Sequence, residues 1–422
     1  MIKKIIVSIC LLFSLAIFAQ ESTSSPYSFY GIGDIKFKGS VENRSMGSIS
    51  VLPDSIHINI QNPAQLACLK LTGLALGGTY ANTKSKTETQ EAKARRTSLD
   101  YMVVGIPVGK VGIGFGLIPY SSVGYKIGRT AYVTNNNNDT IRSIISRYNG
   151  IGGVNKVFLG FGYRLTKNIN IGGDLQYNFG TIETKSLQYQ TDLQYGSREN
   201  NVSDLRGVNF DLGITYQTKV KSKYSFFSSL AYTPEAVLTS GNSRNIEIVL
   251  VTSSSVRPVE TQNIGVADTK IKLPSKLSFG SGFGQVKKWL VGGEITFIQN
   301  SVMSNRFTDI NGATFENSVR YSLGGFFIPN YNSYSSYYKR MVYRGGLRYE
   351  NTGLVIQDKS ITDFAANIGL GMPLGGTFTN INIGLEIGRR GTKYYNLVEE
   401  NYINLSVGLS LSDKWFVKRK FD

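Results

Sequence analysis

The residue types that most often perform chemistry are scarce in this chain of 422 residues, which has one histidine and two cysteines. The histidine, His57, stands between Ile56 and Ile58 in a stretch without regular periodicity. A histidine in such surroundings is more often a hydrogen-bonded structural residue than a general base. Cys10 falls in an apolar leader, so only Cys68 remains, and one histidine with one thiol cannot build a zinc site. The sequence therefore predicts no enzyme, with no catalytic residue, metal or cofactor.

Two further patterns resemble ligand sites only superficially. The glycines from Gly112 to Gly116 match part of a dinucleotide-binding pattern, but no helix follows them to hold a phosphate. The run from Asn135 to Asp139 offers oxygen ligands that calcium could use, but a solvated turn is the better explanation of this polar loop. We interpret both as structural.

A set of charged residues recurs on the polar side of segments in which polar and apolar residues alternate. Buried charges are normally paired, so most of these residues should pair with one another or with a segment inside the protein. The four arginines are candidate contacts for the acidic head group of a ligand. The set comprises Lys156, Arg164, Asp174, Asp211, Glu294, Arg320, Arg344, Arg348 and Glu386.

The elements that carry these charges are β-strands, and the last hairpin, from Thr379 to Ser412, illustrates the pattern. Ile381, Ile383 and Leu385 alternate with polar or small residues, and a period of two gives each strand one apolar face. The opposite face carries Glu386 and glycines, which suits a wall with lipid outside and a polar lumen inside. About fourteen such segments occur, so we predict an all-β transmembrane antiparallel barrel that this hairpin closes.

The first residues of the chain indicate that the protein is secreted across the inner membrane. Lys3 and Lys4 precede an apolar run that ends before Ala19, which is typical of a secretory signal peptide. We predict a signal peptide at 1–19, an N-terminal hatch segment at 20–70, the barrel at 71–413 and a periplasmic tail at 414–422. The hatch segment has no sustained period, and the lumen is the natural place for it. Within it, Asn62-Pro63-Ala64 predicts a helical turn with Asn62 as its N-cap.

Connection lengths support a barrel with both termini in the periplasm. Long links alternate with short ones, as expected for outer loops and inner turns. The fifth inner link, Pro329 to Arg340, is an exception because it is long and rich in tyrosine. The predicted outer loops run from Ser85 to Arg95, Ala131 to Gly152, Thr191 to Leu205, Gly241 to Thr269, Ser301 to Asn317, Glu350 to Ser360 and Arg389 to Asn401.

A net charge of +17 is compatible with nucleic-acid binding, but the basic residues are scattered along the sequence and form no stripe. Basic loops on an outer membrane fit anionic lipopolysaccharide better. We therefore expect outer-membrane lipid and lipopolysaccharide as partners, and no nucleic acid.

One strand interrupts its own alternation. The run from Val111 to Leu117 is regular, and then Pro119, Tyr120 and Ser121 break it. Proline cannot donate a hydrogen bond to the ladder, so a kink or bulge is expected in the third strand. The break is either a local bulge or an opening in the wall through which an apolar molecule could leave sideways into the membrane.

Together these features resemble the FadL-type outer-membrane transport proteins for hydrophobic compounds. The resemblance rests on the signal peptide, Arg44-Ser45-Met46-Gly47, Asn62-Pro63-Ala64, the interrupted third strand and the strand number. It implies a hatch that includes Asn62, Pro63 and Ala64, and a lateral gate at Pro119. The basic run from Trp415 to Lys420 marks a divergent member.

Two functions stay open at this point. The first is passive uptake of hydrophobic, fatty-acid-like molecules through a lateral opening. The alternative is an accessory or structural barrel subunit of an outer-membrane protein-export or barrel-assembly complex, with periplasmic or outer-membrane protein partners. A soluble secreted adhesin is disfavoured, because so many apolar faces would aggregate in water.

Overall fold

The computed structural model describes residues 23–134, 140–221, 223–252, 254–307, 312–374 and 379–413. Three expectations therefore lie outside the described residues: the signal peptide at 1–19, the loop from Asn135 to Asp139 and the tail at 414–422. Among the described residues, no helix has the length and apolar character needed to cross a lipid bilayer.

Nineteen strand segments lie within these described ranges. Two pairs of them join across prolines into single long strands, and three short segments do not span the wall, so fourteen strands form the barrel. In chain order these are β1 (Thr72–Lys86), β2 (Glu91–Val108), β3 (Val111–Thr134), β4 (Thr140–Arg164), β5 (Ile169–Gln190), β6 (Tyr195–Val220), β7 (Tyr224–Thr233 and Ala236–Val251), β8 (Thr269–Leu273 and Lys276–Gln285), β9 (Trp289–Ile298), β10 (Ser318–Phe327), β11 (Val342–Ile356), β12 (Lys359–Pro373), β13 (Asn380–Gly391) and β14 (Glu399–Asp413).

The sheet closes on itself. Each strand pairs antiparallel with the next, and β14 pairs with β1 from Glu399 opposite Lys86 to Asp413 opposite Thr72. The last hairpin therefore supplies the closing seam, as its alternation predicts. Closure leaves no exposed sheet edge at this position, which is the condition for a sheet to stand in lipid. The predicted all-β barrel of fourteen strands is confirmed.

The two ends of the barrel differ in their connections. We call the end with the six even-numbered links, such as Gly109-Lys110 between β2 and β3, the turn end, and the opposite end the loop end. At the loop end several predicted loops are wrong. Most of the stretches from Ser85 to Arg95, Thr191 to Leu205 and Glu350 to Ser360 are strand, because the hairpins continue their ladders beyond the wall and so satisfy their backbone groups.

The outer face of the barrel is apolar. Leu159, Leu175 and Ile368, on three different strands, are 59%, 61% and 61% exposed. On each of these strands the neighbouring residues point inward. A belt of this kind would be costly in water, at about 25 cal/mol for each Å² of apolar surface. It is the lipid-facing side of a membrane-spanning wall.

The segment before β1 packs against the inner side of the wall. Its short elements are the 3₁₀-helix Pro26–Phe29, the strand Asp34–Ile35, the helix Val41–Arg44 and the 3₁₀-helix Pro63–Cys68. Inward-facing glycines on opposite sides of the barrel lie so close to this segment that an added Cβ would clash with it. A segment that touches both sides of a closed ring must lie inside it. The contacts are Gly112 with Leu66, Gly172 with Ala64, Gly280 with Val51, Gly346 with Gly47 and Gly384 with Ser45.

Replacing Gly47 by valine should release the N-terminal segment from the wall. Gly47 has a φ of +67°, and a Cβ there would lie 2.6 Å from the carbonyl oxygen of Leu347. Strain of this kind costs about 1–3 kcal/mol. We expect faster proteolysis of the N-terminal segment while the barrel keeps its heat-modifiable mobility on SDS gels. The matched control is Gly128→Val, where nothing lies within 4 Å of the added Cβ. Equal protease resistance of the Gly47 variant and the control would contradict this account.

Candidate functional site in the lumen

The interruption in β3 is a bulge. The register between β3 and β4 shifts between Pro119 and Ser121, which leaves Tyr120 as the extra residue. The carbonyl of Tyr120 turns inward and accepts a hydrogen bond from the backbone N–H of Lys36 at 2.9 Å. The kink or bulge expected from the proline is therefore confirmed, and the N-terminal segment satisfies the carbonyl that the bulge frees.

The seam between β2 and β3 is paired over only part of its length. Its ladder runs from Val108 opposite Val111 to Met102 opposite Leu117. Beyond Leu117, the neighbour of β3 on this side is the short strand of the N-terminal segment, with Ile35 opposite Ser121 and Asp34 opposite Ser122. The hydroxyl of Ser121 also donates to the carbonyl of Ile32 at 2.7 Å. The N-terminal segment therefore takes the place of β2 at the bulge.

A cavity of about 220 Å³ lies behind this seam. Ile118, Pro119 and Tyr120 form its wall on the β3 side, and Phe37 of the N-terminal segment also lines it. The ammonium group of Lys156 lies 4.4 Å from the centre of the Tyr120 ring, a cation–π contact. Of the three residues expected at the gate, Pro119 and Tyr120 thus line one cavity with a buried cation, whereas Ser121 does not line it.

The charges around this cavity do not balance. Seven basic and five acidic side chains line it, which leaves an excess of two positive charges. Within the described ranges, neither Lys156, which is 4% exposed, nor Lys276 forms an ion pair. A buried cation without a counter-ion is costly, and an anionic group from a ligand would offset that cost.

Most of the other charges predicted for the lumen have partners in the wall or the N-terminal segment, as expected for buried charges. Lys38 of the N-terminal segment forms ion pairs with Asp211 and, at 3.6 Å, with Asp174. The amide of Gln176 donates to Asp211 at 2.7 Å, and the hydroxyl of Thr233 donates to it at 2.5 Å. This cluster ties the N-terminal segment to β5, β6 and β7.

The four arginines considered as ligand contacts are already engaged. Arg320 pairs with Glu350 at 2.9 Å, and Arg348 contacts Glu350, Asp363 and Glu386 at 3.0–3.1 Å. Arg164 donates to the carbonyl of Ala67 at 2.9 Å, and Arg344 donates to Asn382 at 2.9 Å. Arg320 and Arg348 line the cavity behind the seam, whereas Arg164 and Arg344 lie towards the turn end.

The predicted turn at Asn62 is confirmed. The side chain of Asn62 accepts a hydrogen bond from the backbone N–H of Ala64 at 3.0 Å and caps the 3₁₀-helix that starts at Pro63. Its amide also donates to the carbonyl of Leu230 in β7 at 3.2 Å. Asn62, Pro63 and Ala64 are buried against the wall and lie away from the cavity behind the seam.

His57 is hydrogen-bonded, in agreement with its structural interpretation. Its Nδ1 lies 2.6 Å from Oδ2 of Asp54, and its Nε2 lies 3.6 Å from Oε1 of Glu42. Burial acts to lower the pKa of His57, but the two carboxylates more than offset it and the pKa is raised. Burial acts to raise the pKa of the Asp54 carboxyl. The His57 imidazolium more than offsets this effect and holds that pKa well below its usual range.

Three further basic residues of this region were not among those predicted from the sequence. Lys38 lies in a stretch without periodicity, and Lys276 stands two residues after Pro274, at the start of a weakly alternating run. Arg306 lies in the β9–β10 connection yet is only 1% exposed, and it donates to the carbonyl of Gly31 at 2.6 Å. Burial lowers the pKa of Arg306 to about 10. Nothing in the local sequence marks Arg306 as buried.

Replacing Lys38 by methionine should destabilise the protein strongly at neutral pH. Removal of one partner from a buried ion pair costs about 3–5 kcal/mol, because the carboxylates of Asp174 and Asp211 lose their counter-ion. We expect a lower thermal unfolding temperature of the barrel, measured in detergent. The companion variant Lys38→Met/Asp211→Asn should recover much of the lost unfolding temperature. If the double variant unfolds at the same temperature as Lys38→Met, charge is not the cause.

The ion pair of His57 with Asp54 predicts a pH-dependent anchoring of the N-terminal segment. Because the pKa of His57 is raised, its contribution is complete below about pH 6.5 and is lost as the pH rises through the folded-state pKa. The contribution of Asp54, whose pKa is lowered, is present above about pH 4 and is lost in stronger acid. The variant His57→Gln should therefore increase protease cleavage of the N-terminal segment several-fold near about pH 5.5 and less near about pH 9. The same increase at both pH values would exclude a role for the charge.

Comparison with known proteins agrees with this architecture. The Pseudomonas putida toluene transporter TodX superposes with a TM-score of 0.58 at 15% identity, over 91% of this chain and 100% of that one. The Ralstonia pickettii toluene transporter TbuX gives 0.56 at 14% identity, over 89% and 99%. A Pseudomonas aeruginosa FadL homologue gives 0.58 at 11% identity, over 90% and 98%. At these identities the likeness concerns the fold, which is the FadL-type barrel that the sequence resembles.

Sequence comparison identifies the family. No curated protein is significantly similar to this chain. The model of one protein family, described as BamG, matches residues 1–422. The chain belongs to the BamG family.

Proposed function

We propose that this protein is an outer-membrane channel for the passive uptake of small hydrophobic or amphipathic molecules, with its turn end and both termini in the periplasm. The observation that carries the proposal is the position of the lumen cavity directly behind the partly paired seam of β2 and β3. The fold supports it, because solved barrels of the same fold include proteins named as toluene transporters.

The proposed exit lies at Pro119, Tyr120 and Ser121. A molecule that reaches the cavity needs to cross one layer of wall to reach lipid, and the β2–β3 ladder ends at Leu117, just before this point. At the bulge, from Tyr120 to Ser122, the N-terminal segment pairs with the backbone of β3 at Lys36 and Asp34–Ile35 in place of β2. Exit therefore requires a small displacement of that segment and no rupture of the paired wall. Partition into lipid would supply the driving force.

Lys156 and Lys276 are the residues we assign to an acidic head group. They supply the excess charge of the cavity, and Ile118 and Phe37 offer apolar contacts beside them. A cavity of about 220 Å³ is smaller than the roughly 300–1,000 Å³ of a site that encloses a whole drug-sized ligand. A long-chain ligand would therefore place its head in the cavity and its tail in the seam.

A second candidate function is that of a structural barrel subunit in a larger outer-membrane complex. The observation that favours it is the dense attachment of the N-terminal segment to the wall. Arg390 pairs with Asp34 at 2.6 Å, and Arg44 pairs with Asp100 at 3.2 Å, in addition to the Lys38 cluster. Such anchoring suits a rigid scaffold as well as a channel. A stoichiometric protein complex isolated from native membranes would favour this candidate.

The channel predicts that Pro119→Val impairs uptake. A strand-forming residue that can donate a hydrogen bond should remove the bulge and extend the regular wall. We expect several-fold slower uptake of radiolabelled oleate or toluene by cells whose only such barrel is the variant, with unchanged barrel folding. The matched control is Pro107→Val, which lies in the regularly paired part of β2 opposite Gly112. Unchanged uptake of every apolar compound tried would refute the channel.

A further inference from the structure

A second and larger cavity opens at the turn end. Its volume is about 920 Å³, and it lies between the N-terminal segment and the ends of several strands. Residues at four turn-end connections line it, among them Lys167, Val286, Tyr331 and Asn380. It is separate from the cavity behind the seam, with which it shares no lining residue.

The rim of this cavity is strongly basic. Seven basic and two acidic side chains line it. Four of the basic residues are exposed lysines, and none of the four forms an ion pair within the part of the chain that the structure describes: Lys70, Lys167, Lys219 and Lys287.

The two carboxylates of the cavity do not neutralise this rim. Asp54 is held by His57 and by the backbone N–H of Ile56 at 2.8 Å. Glu42 accepts a hydrogen bond from Asn382 at 2.6 Å. Both acids are thus engaged within the cavity, and neither forms an ion pair with one of the four exposed lysines.

The interior of the cavity is apolar in part. Leu52 of the N-terminal segment, Leu290 of β9 and Phe326 of β10 line it below the rim. A basic rim above an apolar floor is complementary to a chain segment in which apolar residues are flanked by acidic ones. Small inorganic anions would make no contact with the apolar side chains of the floor.

The tyrosine-rich link between β10 and β11 borders the same cavity. Tyr331 lies under the ammonium group of Lys287 at 4.8 Å, and Arg340 stacks on Tyr337 at 5.5 Å. Tyr334 is fully exposed, and Tyr338 is 71% exposed. Tyrosine and arginine are enriched among the residues that dominate protein–protein binding energy. The long link therefore places exposed tyrosines beside the basic rim, where they can contact a bound partner.

We propose that the turn-end cavity is a docking site for an acidic, partly apolar segment of a periplasmic protein. The proposal uses the orientation given above, with the turn end in the periplasm. Membrane lipid is the less suitable occupant, because the cavity lies inside the ring of strands and its floor includes Leu52 and Ile58 of the enclosed N-terminal segment. The site does not depend on uptake through the seam, so the two proposals can fail separately.

The test is peptide binding to the full-length barrel in phosphatidylcholine nanodiscs. The probe is a fluorescein-labelled peptide with a Leu-Phe pair between two Asp/Glu runs, followed by fluorescence anisotropy. Lys219→Glu/Lys287→Glu should weaken binding by at least about tenfold, equivalent to ~1.4 kcal/mol. Tyr334→Ala/Tyr338→Ala should weaken it several-fold. Because all four residues are exposed, the variants should keep the heat-modifiable mobility of the folded barrel.

Matched controls decide whether the effect belongs to the cavity. Lys93→Glu/Arg257→Glu removes the same charge at the exposed loop end and should leave the affinity within about twofold. Equal weakening by both charge reversals would reduce the binding to non-specific attraction and overturn the proposal. A peptide with serines in place of Leu-Phe that binds equally well would also overturn it. Displacement of the peptide by phosphatidylglycerol in the nanodisc would assign the site to lipid instead.

Discussion

The constraint on which the structure depends is that every backbone polar group within lipid needs a hydrogen-bond partner inside the protein. Fourteen antiparallel strands meet it by closing into a ring, with β14 paired along the whole of β1. β3, whose ladder with β4 is interrupted at Pro119, cannot meet it alone. The bulge at Tyr120 turns a carbonyl inward, and the backbone of Lys36 donates to it. The wall is complete at this place only because the N-terminal segment is present.

The same segment accounts for the composition of the inner wall. Glycines such as Gly112, Gly172 and Gly346 allow its backbone to approach the strands more closely than any side chain would permit. Between these contacts, Lys38, Arg44 and Asp34 pair with wall residues of opposite charge. Close backbone contact and ion pairs together hold the segment in one position, so its displacement would be local, at the seam where the β2–β3 ladder ends.

The two cavities differ in chemistry because they are enclosed differently. The one behind the seam is small, and its charges almost cancel. Lys156 and Lys276 are the residues proposed to bind one acidic group there. The turn-end cavity is open, and the four exposed lysines that line it have no ion-pair partner among the described residues. The first suits a small amphipathic molecule and the second suits a protein segment. A barrel can hold both without conflict, because they share no lining residue.

The sequence by itself determined the features that depend on local periodicity and local backbone chemistry. Alternation of Ile381, Ile383 and Leu385 with small or polar residues was sufficient for a closed β-barrel, since a period of two fixes which side chains face lipid. Pro119 together with the lost alternation around it predicted the bulge, and Asn62 followed by Pro63 predicted the capped turn, because each effect acts within a few residues.

Only the tertiary structure decided which distant groups meet. The partners of Lys38 lie more than a hundred residues away in β5 and β6, and Arg306 is buried because Gly31 and Phe29 cross beneath its loop. The same holds for the extent of the strands at the loop end, where pairing between hairpin arms replaced the predicted loops. Charge pairing and ladder length depend on the positions of both partners in space, and the alternation of one strand contains no information about the other partner.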